Sequence, residues 1–128
     1  MKILLDTHAV LWAMLGDSRL GRNVERFLRP LNVGKAAISD VTLLEIAMLE
    51  KKRRLVLDMP LANFFLALNQ RFTILPITPL IAIEACSLAL PLSKPSDRTI
   101  VATVYCHHLP LATCDKAIVA SGLVKIIW

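Results

Sequence analysis

Four carboxylates stand in this chain where an α/β fold can gather them: Asp6 closing the run KILLD, Glu45 inside VTLLEIAML, Asp97 opening SDRTIVA, and Asp115 after PLATC. Asp and Glu are among the residues least often buried, and a carboxylate among Leu, Ile and Ala needs a cation or hydrogen-bond donors. Carboxylates brought close together repel one another, and a divalent cation is the simplest remedy. An all-oxygen set with little His or Cys suits Mg²⁺ or Mn²⁺ better than zinc. The chemistry implied is phosphodiester hydrolysis, in which the ion activates water and neutralises phosphoryl and leaving oxygens. Taken singly, Asp6, Asp97 and Asp115 also read as acids at helix N-termini, and Glu45 as half of a buried ion pair. The conjunction of the four carries the chemical reading.

The elements that must position them follow from hydrophobic patterning. ILL in KILLD is a short apolar run ending on an acid, which predicts a strand buried on both faces. From Ser18, Leu20, Val24, Phe27, Leu28 and Leu31 share a helical face, with Arg19, Arg22, Arg26 and Arg29 striping another, which predicts a helix ending near Pro30. KAAIS predicts a second strand, after which Asp40 caps a helix over VTLLEIAMLEKK with Lys51, Lys52, Arg53 and Arg54 at its negative end. On that helix Val41, Leu44, Glu45 and Met48 share a face, which predicts an apolar neighbourhood for the carboxylate.

MPLANFFLALNQ predicts a helix with Pro60 near its first turn, FTILPI a third strand with Pro76 at its end, and TPLIAIEACSLAL a helix. PLSKPSD predicts a loop, followed by a helix SDRTIVATVYCHH, a strand LPLATC, a helix DKAIVASG stopped by Gly122, and a last strand VKIIW. The alternation predicts an α/β fold in three layers, α/β/α, around a mainly parallel sheet. Ligands of such sheets bind beyond the carboxyl ends of the strands, where Asp6, Asp40, Thr113 and Asp115 fall.

At 128 residues with 55% hydrophobic residues, the chain predicts one domain over 1–128 with mostly buried elements. A net charge of +5 favours a polyanionic partner such as RNA, DNA or an acidic protein segment. The three cysteines, Cys86, Cys106 and Cys114, are odd in number and lie in apolar runs, which predicts reduced core residues and no disulfide framework. MKILLDTHAVLWAML is interrupted by Asp6 and His8, and no apolar run approaches the roughly 20 residues of a membrane span. A cytoplasmic protein is expected.

The ordered segments LLDTHAVLWAMLGDSRL, SDVTLLEIAMLEKKRRL, ILPIT, PSDRTIVAT, LATCDKAI and the terminal IIW resemble the PIN-domain ribonucleases, and most closely the VapC-type toxins of toxin–antitoxin pairs. The resemblance implies a Mg²⁺- or Mn²⁺-dependent endoribonuclease with Asp6, Glu45, Asp97 and Asp115 as the acidic site. Asp6 and Asp97 match the positions of direct metal ligands; Glu45 and Asp115 would act through waters, a second metal or the attacking water. Thr113 would hydrogen-bond Asp6 or substrate. It further implies a homodimer, an RNA substrate, and inhibition by a small antitoxin. In one place the chain departs from the pattern: the loop before the third acid has Lys94 ahead of Pro95, where the family often has an acid.

The arginine stripe and the KKRR run read either as solvated faces or as RNA contacts, with Arg53 and Arg54 the candidates. His8 reads as capping the first helix, and Trp12 and Trp128 as core or dimer-contact residues. Cys106, His107, His108 and Cys114 match no zinc spacing. A haloacid-dehalogenase-type phosphatase would need an Asp where His8 stands, and a receiver domain an acid that FTILPIT lacks. The non-enzymatic rival is a basic RNA-binding or partner-binding module whose acids merely cap helices.

Overall fold

The structure, a computed structural model, describes residues 2–29, 34–88 and 92–128. Five strands, β1 (Ile3–Leu5), β2 (Ala36–Ser39), β3 (Thr73–Leu75), β4 (Leu111–Ala112) and β5 (Ile126–Ile127), form one sheet in the order β3-β2-β1-β4-β5. Every pairing is parallel, with Leu4 opposite both Ala37 and Leu111. The helices are α1 (Thr7–Leu15), α2 (Arg22–Leu28), α3 (Val41–Lys51), α4 (Leu61–Arg71), α5 (Pro79–Ser87), α6 (Pro95–His107) and α7 (Lys116–Ser121).

The period of a strand explains the layering. Successive side chains point to opposite faces, so Ile3 and Leu5 pack with Val10 of α1, Val24 of α2, Ile46 of α3 and Phe64 and Leu68 of α4. Leu4, between them, packs the other way against Ile100, Val101 and Val104 of α6 and Ile118 of α7. All three residues of β1 are fully buried, each side chain contributing about 1.5–3 kcal/mol of hydrophobic stabilisation. The three-layer α/β/α expectation holds. Among the described residues no helix is long and apolar enough to cross a membrane.

Several local expectations are corrected. The second helix begins at Arg22 and not at Ser18, because Asp17 holds Arg19 through backbone and side-chain hydrogen bonds and so closes a turn. Gly21 then passes so near the C-terminal residue that a Cβ there would lie 2.5 Å from the Trp128 carbonyl carbon. The expected end of that helix, at Pro30 and Leu31, lies outside the described residues, as does part of the PLSKPSD loop.

Asp40 does not cap α3 with its side chain. Its carboxylate accepts from the Ile77 N–H after β3, while the Ser39 hydroxyl accepts from the Val41 N–H. The cysteines are free but are not core residues, with Cys86 and Cys114 exposed and Cys106 intermediate. Each falls on the outer side of its apolar segment, since the inward positions belong to residues such as Ala85, Ala102 and Ala112.

Arg98 fixes how the chain enters α6. Its guanidinium donates to the carbonyl oxygen of Leu92 (2.7 Å), ahead of α6, and to those of Ala85 (3.1 Å) and Leu88 (3.0 Å), which α5 leaves open at its end. Hydrogen bonds to a charged group contribute about 1.5–3 kcal/mol each and are not additive. Arg98→Met should therefore lower unfolding stability by about 2–4 kcal/mol in urea denaturation; a change below ~0.5 kcal/mol would show that solvent replaces the guanidinium without loss.

Candidate active site

Strand order places a crevice between β1 and β4. The chain leaves β1 toward β2 on one side and returns to β4 on the other, the reversal at which parallel sheets open a crevice beyond their strand ends. Asp6 follows β1 and Thr113 follows β4, locked in register by Asp6 N–H donating to the Ala112 carbonyl at 3.1 Å. The Thr113 hydroxyl donates to Asp6 Oδ2 across the crevice, and Asp6 Oδ1 accepts from the Ala9 N–H at 2.8 Å. Asp6 is only 9% exposed, yet both carboxylate oxygens have donors.

Asp115 joins through the same threonine. Its N–H donates to Thr113 Oγ1 at 3.0 Å, and its Oδ1 caps α7 by accepting from the N–H groups of Ala117 and Ile118. Asp97 lies in the first turn of α6. Glu45 reaches the crevice from α3, where the Thr7 hydroxyl donates to its Oε1 and also meets Thr42 Oγ1 at 3.3 Å. Neither Thr7 nor Thr42 is among the candidates of the sequence; their signal there is spacing, Thr7 directly after Asp6 and Thr42 three residues before Glu45.

The acids feel one another. Burial is the largest influence on Asp97 and pushes its carboxyl above the ordinary 3.8; the charge of Asp115 adds to this, Lys94 opposes it, and Glu45 and Asp6 add smaller pushes. Asp6 is likewise pushed up, by burial first, against the hydrogen bonds of Thr113 and Ala9 and the charge of His8, with Asp115 raising it further. Asp97 thus lies within the electrostatic reach of the other three carboxylates. Among the described residues, however, no three Asp, Glu, His or Cys side chains are close enough to grip one ion together.

The donors present fit a hard cation that keeps much of its water. Mg²⁺ commonly takes one or two carboxylates and several waters, and the crevice offers the carboxylates of Asp6, Asp97 and Asp115 with the hydroxyl of Thr113. Both caps of α7 use Asp115 Oδ1, which leaves Oδ2 without a hydrogen-bond donor among the described residues.

The surroundings of Glu45 differ from expectation. Leu44 is 61% and Met48 46% exposed, so the α3 face shared with Glu45 is an open apolar surface and not a buried one; α6 and α4 cover the other sides of the helix. His8 does not cap α1, a role taken by Asp6; its exposed ring lies 5.7 Å from Trp12. Trp12 in turn meets Trp128 edge-on at 5.8 Å.

The two candidate arginines part company. Arg53 has a left-handed backbone, φ 57°, and lies in a recess with Glu50 and Met59. Arg54 instead borders a groove of about 550 Å³ that takes in Thr7, Glu45, Lys52 and Lys94. Of the stripe, Arg29 pairs with Glu25 at 3.3 Å and Arg19 with Asp17 at 2.8 Å.

Residues 3–120 match the family model described as PIN domain. The fold is similar to that of a toxin–antitoxin complex chain from Klebsiella pneumoniae (TM-score 0.70, 24% identity, covering 99% of this chain and 97% of that one). It is also similar to VapBC2 from Rickettsia felis bound to a promoter DNA fragment (0.69, 16%, 99% and 98%). A third likeness is DNA-bound VapBC from Salmonella typhimurium (0.68, 16%, 99% and 97%). No curated protein sequence matches the chain significantly.

The raised carboxyls set a pH dependence. A carboxyl whose folded pKa lies above its unfolded value contributes most to stability below the unfolded pKa, and that contribution is lost as pH rises through the folded pKa. With EDTA present, Asp97→Asn should therefore raise the melting temperature at pH 7, and the gain should vanish below the ordinary 3.8. Calorimetric melts across this range decide it; equal or lower stability of the variant at pH 7 would mean that Asp97 is not strained by its neighbours.

Proposed function

The chain belongs to the PIN domain family, and on that premise we propose that it is a Mg²⁺- or Mn²⁺-dependent endoribonuclease with Asp6, Glu45, Asp97 and Asp115 as its acidic site. PIN domains are generally nucleases. The observation that carries the reading is the approach of four acids, from four separate segments, to one crevice at the switch point of the sheet, with burial first and then the charges of the other three raising the Asp97 carboxyl. A purely capping role accounts for Asp6 and Asp115. It gives no reason for Asp97 and Glu45 to lie beside them.

In this reading Asp6 and Asp97 would hold the cation directly, and Glu45 and Asp115 would act through waters or a second ion. When bound, the cation supplies charge neutralisation at the phosphoryl oxygens and a more acidic water. The chain supplies position. Thr113 fixes Asp6 and, through the Asp115 N–H, the strand end beside it; Thr7 fixes Glu45, leaving a carboxylate oxygen to orient the attacking water and accept its proton.

The proposal extends to the biological setting. Similar folds occur in a toxin–antitoxin complex from Klebsiella pneumoniae and in DNA-bound VapBC2, FitAB and VapBC. On the fold these likenesses share, the proposal is a single PIN domain over residues 1–128 acting in the cytoplasm as the toxin of a toxin–antitoxin pair, as a homodimer whose RNA cleavage a cognate antitoxin blocks.

Purified protein, free of antitoxin, should cleave single-stranded RNA with Mn²⁺ or Mg²⁺ and stop with EDTA. Asp97→Asn should lower the rate by about a hundredfold or more, the scale on which losing one preorganised charge acts; cleavage undiminished by both treatments would contradict the metal-dependent reading. Thr113→Val, which removes the hydroxyl that donates to Asp6 and accepts from the Asp115 N–H, should weaken Mn²⁺ affinity by about 10–100-fold in titration calorimetry. Unchanged affinity would show that Asp6 needs no such support.

A further inference from the structure

The groove beside Glu45 has a charge pattern that the acidic site does not explain. It is about 550 Å³, within the range of built ligand sites. Its rim carries Lys52 from the end of α3, Arg54 just beyond it, and Lys94 at the start of α6. All three are exposed, and among the described residues none has an acidic partner within 4 Å, in contrast to Arg19, which Asp17 holds. The floor between them is apolar, formed by Leu11, Met48, Leu49 and Leu55. Thr7 and Glu45 line the same groove, so it meets the acidic site at Glu45.

Three unpaired cations over an apolar floor match a single polynucleotide strand, which presents phosphates and unstacked bases together. A duplex turns its bases inward and would leave the floor unused. We infer that this groove is the track for a single-stranded RNA backbone entering the acidic site on its Glu45 side, with Lys52, Arg54 and Lys94 each contacting a phosphate. The identity of the strand as RNA rests on the nuclease reading. Lys94 has a particular place in this arrangement. Its charge reaches Asp97 while its side chain borders the groove, so a cation there holds a phosphate at the threshold of the acids. Arg53, adjacent in sequence, belongs to a different recess and makes no such contact.

The test is fluorescence anisotropy of a labelled 12-nucleotide single-stranded RNA with full-length Asp97→Asn protein in EDTA, so that cleavage plays no part, over a series of KCl concentrations. Each phosphate contact to a single strand contributes about 0.7 to the slope of log affinity against log salt. Lys52→Ala, Arg54→Ala and Lys94→Ala combined should reduce that slope by about 2 and lower affinity near physiological salt by roughly tenfold to a hundredfold, while Arg53→Ala changes neither. An unchanged slope in the triple variant, an Arg53→Ala loss equal to that of Arg54→Ala, or tighter groove-dependent binding of duplex DNA or polyglutamate would overturn the inference. Wild-type cleavage with Mn²⁺ scores the nuclease reading separately: cleavage with an unchanged triple-variant slope sinks the track alone. A reduced slope without cleavage leaves a strand-binding groove and sinks the nuclease.

Discussion

The hydrogen bond from Thr113 to Asp6 spans the point at which the sheet reverses its strand order. An unpaired buried carboxylate would cost several kcal/mol, so a strand that ends on an acid at the centre of the sheet requires donors at that spot. The Ala9 N–H, at the first turn of α1, is one; the Thr113 hydroxyl, at the end of β4, is the other. The pairing ties β1 to β4, sets where α1 begins, and leaves the charge facing the crevice. Much of the remaining architecture serves this arrangement. The buried faces of β1 hold it from above and below, and Arg98 sets the entry of the helix that brings Asp97 alongside.

Structural and chemical readings of the same acids turn out to be compatible. Asp6 caps α1 with one oxygen and receives Thr113 with the other, and Asp115 caps α7 with Oδ1 alone. A helix cap costs a carboxylate only part of its coordination capacity, since each oxygen accepts more than one partner. Caps also orient: they fix the rotamer of an acid that would otherwise sweep through several positions. Glu45, which caps nothing, is fixed by Thr7 instead. The result is that the directions of Asp6, Glu45 and Asp115 are settled by the fold itself, the condition under which charge in a site is most effective.

Much of the architecture was legible in the chain. ILL before Asp6 announced a doubly covered strand, and the residues after each strand end marked the edge where the acids gather. What misled was local. The stretch Val41, Leu44, Glu45, Met48 has the spacing of a buried face, but helix periodicity does not say which stripe meets the core, and Ile46 and Thr42 took that place. Asp40 stands where a helix cap belongs, yet the carboxylate had a better use bridging to the loop after β3. KKRR reads as one basic run; a single left-handed residue at Arg53 divides it between two recesses. Tertiary competition decided each case, and no window of sequence contains it.

The proposed function requires the four acids to constitute one cation site. Crystals grown with saturating Mn²⁺ and measured for anomalous scattering test it most directly. A peak is expected between the carboxylates of Asp6 and Asp97, lost in Asp97→Asn crystals. Mn²⁺ absent from the crevice, or bound only elsewhere on the molecule, would contradict it.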